Sequence, residues 1–165
     1  MKKIIMIAML VLPLSIFAQK FGHINSQELL MMMPERTEIE KSIETYAKEY
    51  ETELLKLREE YFAKIQEFQD KQATMPDGIK QARQTEIAEM EQRIQTFQNT
   101  AQMDIQKKQE SLLNPVIEKV KKAISDVGAE KGFTYIFDLA TQSILYQGTT
   151  ATDIMPLVKT KLGLK

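Results

Sequence analysis

Between Glu35 and Ala73 the chain has neither glycine nor proline, and its apolar residues recur at Ile39, Ile43, Tyr46, Tyr50, Leu54, Leu57, Tyr61, Ile65 and Phe68. The steps are 4, 3, 4, 4, 3, 4, 4 and 3. This 11-residue repeat keeps the stripe on one face of a nearly straight helix at about 3.67 residues per turn. Such a helix would be roughly 58 Å long, far more than a compact domain of this size needs. Thr74-Met75-Pro76-Asp77-Gly78 is a turn signal. A second helix is predicted from about Ile79 to Glu130, with Ile79, Ala82, Ile87, Met90, Ile94, Phe97, Ala101, Ile105, Leu112 and Val116 on its apolar face. Two long helices joined by a tight turn make an antiparallel hairpin. Eleven glutamines lie between Gln66 and Gln109, and the stripe thins there, so a lightly packed tip is expected. Pro115 predicts a kink or a helix restart.

The ends follow a different pattern. Residues 20–25, KFGHIN, read as a short strand, and Ser26 reads as the N-cap of a helix that Pro34 ends or resets. Met31, Met32 and Met33 read as packing residues of this end. Phe133–Asp138 is a β-branched and aromatic run, Leu139–Ser143 a turn, and Ile144–Gln147 a second strand, together a β-hairpin. Thr152 is positioned to cap a last helix, with Pro156 in its first turn and Gly163 at its stop. The fold class is therefore mainly α with a small β part, a long antiparallel α-hairpin projecting from a small β body. Residues 19–35 and 114–165 would form that body discontinuously, and 36–113 the hairpin. A few short strands bury a marginal core. With no disulfide or metal to help, the body is expected to be shared between copies of the chain.

Residues 1–18 have the design of a secretory leader. Lys2 and Lys3 precede an apolar run from Ile4 to Phe17, and Ala18 is a small residue suited to cleavage. The run is shorter than the ~20 residues a membrane-spanning helix needs. A secreted chain without cysteine suits the bacterial periplasm, where thiols are oxidised.

Composition then removes most chemistry. With no cysteine and one histidine, thiol catalysis and multi-histidine metal sites are excluded. No catalytic residue, cofactor site or metal site is predicted, and the protein is not read as an enzyme. His23 lacks an accompanying nucleophile or ligand set and reads as a strand residue. The net charge is -1, and residues 36–113 hold 12 basic and 16 acidic residues, so nucleic acid is not a partner. A binding surface remains. Tyr46, Tyr50, Tyr61, Phe62, Phe68 and Phe97 are more aromatic area than a thin helix pair needs, and they are the candidate contacts for an unfolded chain held weakly at many points. Phe62 lies off the stripe and is the best candidate for an exposed contact. A structural coiled-coil scaffold binding a folded partner is the alternative. A peripheral membrane role is disfavoured, because the arms lack a basic polar face.

Three segments carry a family resemblance: GHINSQELLMMMPE near the start, LLNPVIEKVKKAISDVGAEKGFTYIFD after the hairpin, and ILYQGTTATDIMPLVKTKL at the end. In this order around a long helical hairpin, the chain resembles the Skp/OmpH family of periplasmic chaperones over essentially all of residues 19–165. The leader ending in FAQ resembles those of Bacteroidetes. The resemblance implies a homotrimer with a shared β-barrel body and three tentacles around a cavity. There, unfolded outer-membrane proteins would be held without ATP before outer-membrane assembly. Well-known members are strongly basic, whereas the arms here sum to -4. No lipid or lipopolysaccharide site is therefore carried over, and client capture should lean on aromatic and apolar contacts.

Overall fold

Long helices form where little interrupts the i→i−4 ladder and a stripe has a partner. Both conditions hold here. The computed structural model describes residues 19–164, so the leader read at 1–18 lies outside the described residues. The element order is β1 (Phe21–Ile24), α1 (Ser26–Met31), α2 (Glu35–Lys71), α3 (Asp77–Lys131), β2 (Tyr135–Asp138), a 3₁₀ turn (Leu139–Thr141), β3 (Thr152–Asp153) and α4 (Met155–Leu162). The described residues divide into two compact units, one from residues 19–28 and 122–164 and the other from 29–121.

The second unit holds the hairpin. Pro34 stands just before the first turn of α2, where its missing N–H costs nothing, and Glu35 and Glu38 place negative charge at that helix N-terminus. Contacts between the helices step down one as they step up the other: Glu35 with Lys119 (2.5 Å), Tyr50 with Asp104 (2.8 Å), Lys64 with Glu86 (2.6 Å). The helices are therefore antiparallel and in one continuous register. Leu57 and Met90 are buried in the arms, and Leu29, Met33, Val116 and Val120 in the rest of the unit. Of the three methionines read as packing residues, Met33 is buried and Met31 and Met32 are exposed.

Pro115 does not restart the helix. α3 runs unbroken through it for 55 residues. One proline removes one donor, and the burial of Val116 and Val120 directly after it keeps the chain helical.

The first unit holds a three-stranded sheet of order β2-β1-β3, and both pairings are parallel. This corrects the expected β-hairpin. Residues 144–147 are not a strand, and residues 139–151 carry the chain from β2 past β1 to β3. The cause is Asp138. Its carboxylate accepts the Ala140 N–H (3.0 Å) and caps the 3₁₀ turn, after which Gln142 takes the left-handed φ of 54°. The chain is thereby turned away from β2 instead of doubling back on it.

Burial alternates strictly along the strands. Gly22, Ile24, Ile136 and Asp138 face inward, while Phe21, Tyr135 and Phe137 are exposed. The core beneath comprises Ile24, Ala123, Val127, Ile154 and Val158. Gly22 is required by close approach, since a Cβ there would stand 3.0 Å from Ile154 Cγ2 and 3.1 Å from the Phe133 ring.

Two caps differ from expectation. Asn25, not Ser26, caps α1, its Oδ1 accepting the Glu28 N–H at 3.1 Å. Ser26 is instead a donor to Asp138 through both its hydroxyl and its backbone N–H. Thr152 lies in β3, and the side chain at the start of α4 is that of Asp153, whose Oδ1 accepts the Met155 N–H at 2.9 Å. In both places an amide or carboxylate oxygen reaches the orphan N–H that the hydroxyl was expected to take.

Asp138 therefore ties β2 to the start of α1 and to the 3₁₀ turn. Burial pushes its pKa up, but the hydrogen bonds from Ser26 and Ala140 prevail and hold it below 3.8. A carboxylate with a lowered folded-state pKa stabilises the fold above its unfolded value, and that stability is lost as pH falls through the folded value. Asp138→Ala is expected to cost about 2 kcal/mol at neutral pH. The loss relative to the native protein should shrink below pH ~4, as read by denaturant melts at several pH values.

Candidate binding surface on the helical hairpin

A ring on the stripe of a two-helix pair meets one neighbour and leaves its other side to solvent. Five of the six aromatic residues singled out above are half-buried in this way, and Phe62 is 64% exposed. Its off-stripe position predicted this exposure. Its ring lies 5.6 Å from that of Tyr61, at a tilt of 59°.

The structure brings three of the six together. The Tyr46 and Tyr50 rings meet edge to face at 5.3 Å, one helical turn apart on α2, and Phe97 of α3 stands 5.7 Å from Tyr50. Such pairs contribute about 0.5–1.5 kcal/mol beyond area burial. The Tyr50 hydroxyl donates to Asp104 Oδ2 at 2.8 Å and lies 3.4 Å from the Tyr46 hydroxyl. Lys108 Nζ, one turn beyond Asp104, lies 5.8 Å from the centre of the Tyr46 ring.

These rings line open grooves. One of about 320 Å³ runs along Ala47, Tyr50, Leu54, Phe97, Ala101 and Ile105. A second, of about 260 Å³, is formed by Tyr46, Glu49, Tyr50, Glu53 and Phe97. The small side chains Ala47 and Ala101 keep the first groove open between the larger ones. Both grooves are predominantly apolar, so they can accept an apolar or aromatic side chain without a matching polar partner.

Tyr61 and Phe62 form a separate pair, and Phe68 lies at the far end with Met75 and Ile87. The six residues are thus spread in three places along the arms and do not converge on one site. No side chain between residues 58 and 89 is buried, so the tip is as lightly packed as its glutamine content implied, and ion pairs cross-link it. Lys64 and Arg83 both bond to Glu86, each at 2.6 Å, and these bonds hold the Glu86 carboxyl below its ordinary pKa.

Sequence reasoning did not single out Asp104 and Lys108. Their i,i+4 spacing opposite Tyr46 and Tyr50 was the available signal, hidden because it depends on the register of the hairpin. It also passed over the sheet face in the other unit, where Phe21, Tyr135 and Phe137 stack with centroids 6.2–6.3 Å apart. Tyr135 is 60% exposed, Leu145 97% and Tyr146 86%. Among the described residues, no group of three or more histidine, cysteine, aspartate or glutamate side chains could hold a metal, and no helix is long and apolar enough to cross a membrane.

One family model, described as outer membrane protein (OmpH-like), matches residues 20–162. No curated protein matches the chain.

The Tyr46 hydroxyl, then the Asp104 carboxylate, raise the pKa of Tyr50 far above the ordinary phenol value of 10.0. In an alkaline absorbance titration of the five tyrosines, the last to ionise is expected to disappear in Tyr50→Phe. Loss of an early-titrating component instead would show that the hydroxyl bridge to Asp104 is not formed.

Proposed function

Because the chain belongs to the OmpH-like family of outer membrane proteins, we propose that it is a periplasmic holdase. It binds unfolded outer-membrane β-barrel proteins without ATP or any cofactor and keeps them from aggregating before outer-membrane assembly. The observation that carries this reading is the state of the aromatic residues on the hairpin. A stiff two-helix scaffold has no use for a large aromatic side chain off its seam or for apolar grooves along it. Here Phe62 is exposed, and Tyr46, Tyr50 and Phe97 wall open apolar grooves. An unfolded chain offers many apolar side chains in no fixed order. Several shallow, separated contacts suit it better than one deep pocket, because linked weak contacts multiply into useful affinity. Candidate client contacts are Tyr46, Tyr50, Tyr61, Phe62, Phe68 and Phe97.

In this reading the protein is a homotrimer, and the client is held in a cavity between the hairpins, residues 36–113, of three chains. Residues 19–35 and 114–165 form the assembling body, and 1–18 are a leader removed on export. Support for assembly comes from the sheet. Three strands bury one face only, and the other presents Phe21, Tyr135 and Phe137 as a stacked aromatic surface, while Leu145 and Tyr146 of the same unit are also exposed. Exposed apolar surface of this kind marks a protein interface. The number three comes from the family and not from the geometry of one chain.

Replacing residues 45–105 by a short turn is expected to leave a folded oligomer that no longer suppresses aggregation of a diluted, denatured β-barrel protein. Full protection by the shortened form would overturn the holdase reading and favour a scaffold. Phe62→Ser is expected to weaken protection with less than about 0.5 kcal/mol change in stability, whereas a large drop in melting temperature would mark Phe62 as a packing residue. Tyr135→Lys with Phe137→Lys should reduce the oligomer to monomer in sedimentation.

A further inference from the structure

The groove between Tyr46, Tyr50 and Phe97 has two carboxylates in its wall, Glu49 and Glu53, one helical turn apart on α2. Among the described residues Glu49 has no ion-pair partner, and Glu53 has only the exposed i,i+3 contact with Lys56 at 3.3 Å. Such a surface pair is readily exchanged. The remaining charged groups around these rings are Asp104, engaged by the Tyr50 hydroxyl, Lys108, Glu51 in the neighbouring groove, and Glu89 and Arg93 on the other side of Phe97, where Arg93 is paired with Glu60 at 3.8 Å. Lys108 is informative, because its ammonium stands over the Tyr46 ring. The chain thus already places one cation against this aromatic cluster. A ring face attracts cations through its quadrupole, and adjacent carboxylates add to that attraction. An acidic side chain entering the same groove would meet two carboxylates and three negative ring faces. Residues 36–113, with 16 acidic and 12 basic residues, extend the same bias along the arms.

We infer that this groove receives the lysine and arginine side chains of an unfolded polypeptide, so that the hairpin selects basic segments flanked by apolar residues over acidic ones. The inference rests on the holdase reading and names the class of segment that reading leaves open. The ammonium or guanidinium stacks on Tyr46 and Phe97 and pairs with Glu49 and Glu53, while flanking apolar residues use the neighbouring groove along Leu54, Ala101 and Ile105.

The test is fluorescence anisotropy of the purified protein with two labelled peptides of equal apolar content, one carrying lysine and arginine and the other aspartate and glutamate. The basic peptide is expected to bind about fivefold tighter at low salt. That ratio should fall toward one in high salt and in the variant Glu49→Gln with Glu53→Gln. Glu49→Asp with Glu53→Asp should keep the preference, with helix content and melting temperature unchanged in both variants. Equal affinity, an acidic preference, no binding of either peptide, or a basic preference that survives the double glutamine substitution would overturn the inference. The aggregation assay run in parallel separates the two readings. Suppression without charge preference defeats this inference alone, and charge preference without suppression defeats the holdase reading alone.

Discussion

Two helices can bury only the line along which they touch, and the hairpin of this protein depends on that line. α2 is 37 residues long and α3 55, yet Leu57 and Met90 are the residues buried in the arms. A helix satisfies its own backbone hydrogen bonds, so such a thin structure carries no penalty for unpaired main chain. It cannot, however, hide more than one stripe of side chains. Rings on that stripe are half-covered by the opposite helix and half-open to water. The seam is supplemented by polar cross-links, Tyr50 to Asp104 and Lys64 to Glu86. The ion pairs among them contribute little where solvent reaches them. The availability of Tyr46, Tyr50 and Phe97 for binding is therefore a consequence of how little a helix pair can bury.

The sheet meets the same shortage in another form. One face of β1 and β2 packs on Val127, Ile154 and Val158, and the other exposes Phe21, Tyr135 and Phe137. A sheet of three short strands has too little core to cover both faces. Its uncovered face is chemically unlike the arms. It is a flat, stacked aromatic surface suited to a fixed partner such as a second copy, whereas the arm grooves are shallow and separated and suit a partner without fixed shape. In the proposed reading, self-assembly and client binding draw on different surfaces of the chain.

The helices were legible in the sequence because their signals are local. The 4-3-4 spacing gave the stripe, Pro76-Asp77-Gly78 gave the turn, and the lack of glycine and proline gave the length. The exposure of Phe62 followed from its place beside the stripe. The sheet was less legible. That β1 lies between β2 and β3, parallel to both, depends on partners more than a hundred residues apart. Ile144–Gln147 has the composition of a strand, but strand composition reports an apolar side, not the presence of a neighbour. Ser26 and Thr152 looked like caps because hydroxyls prefer that position. Asn25 and Asp153 lie next to them and reach the same N–H groups, and Ser26 is claimed by Asp138 from 112 residues away. The groove with Glu49, Glu53 and Phe97 required the register of the hairpin, which no local pattern contains.

The central claim is that several copies of this chain together hold one unfolded client. Light scattering coupled to size exclusion on residues 19–165, alone and after addition of one denatured outer-membrane β-barrel protein, tests it directly. The account predicts the mass of three chains, rising by the mass of one client with no nucleotide present. A monomer or dimer whose mass does not change on adding the client would contradict both the assembly and the chaperone reading.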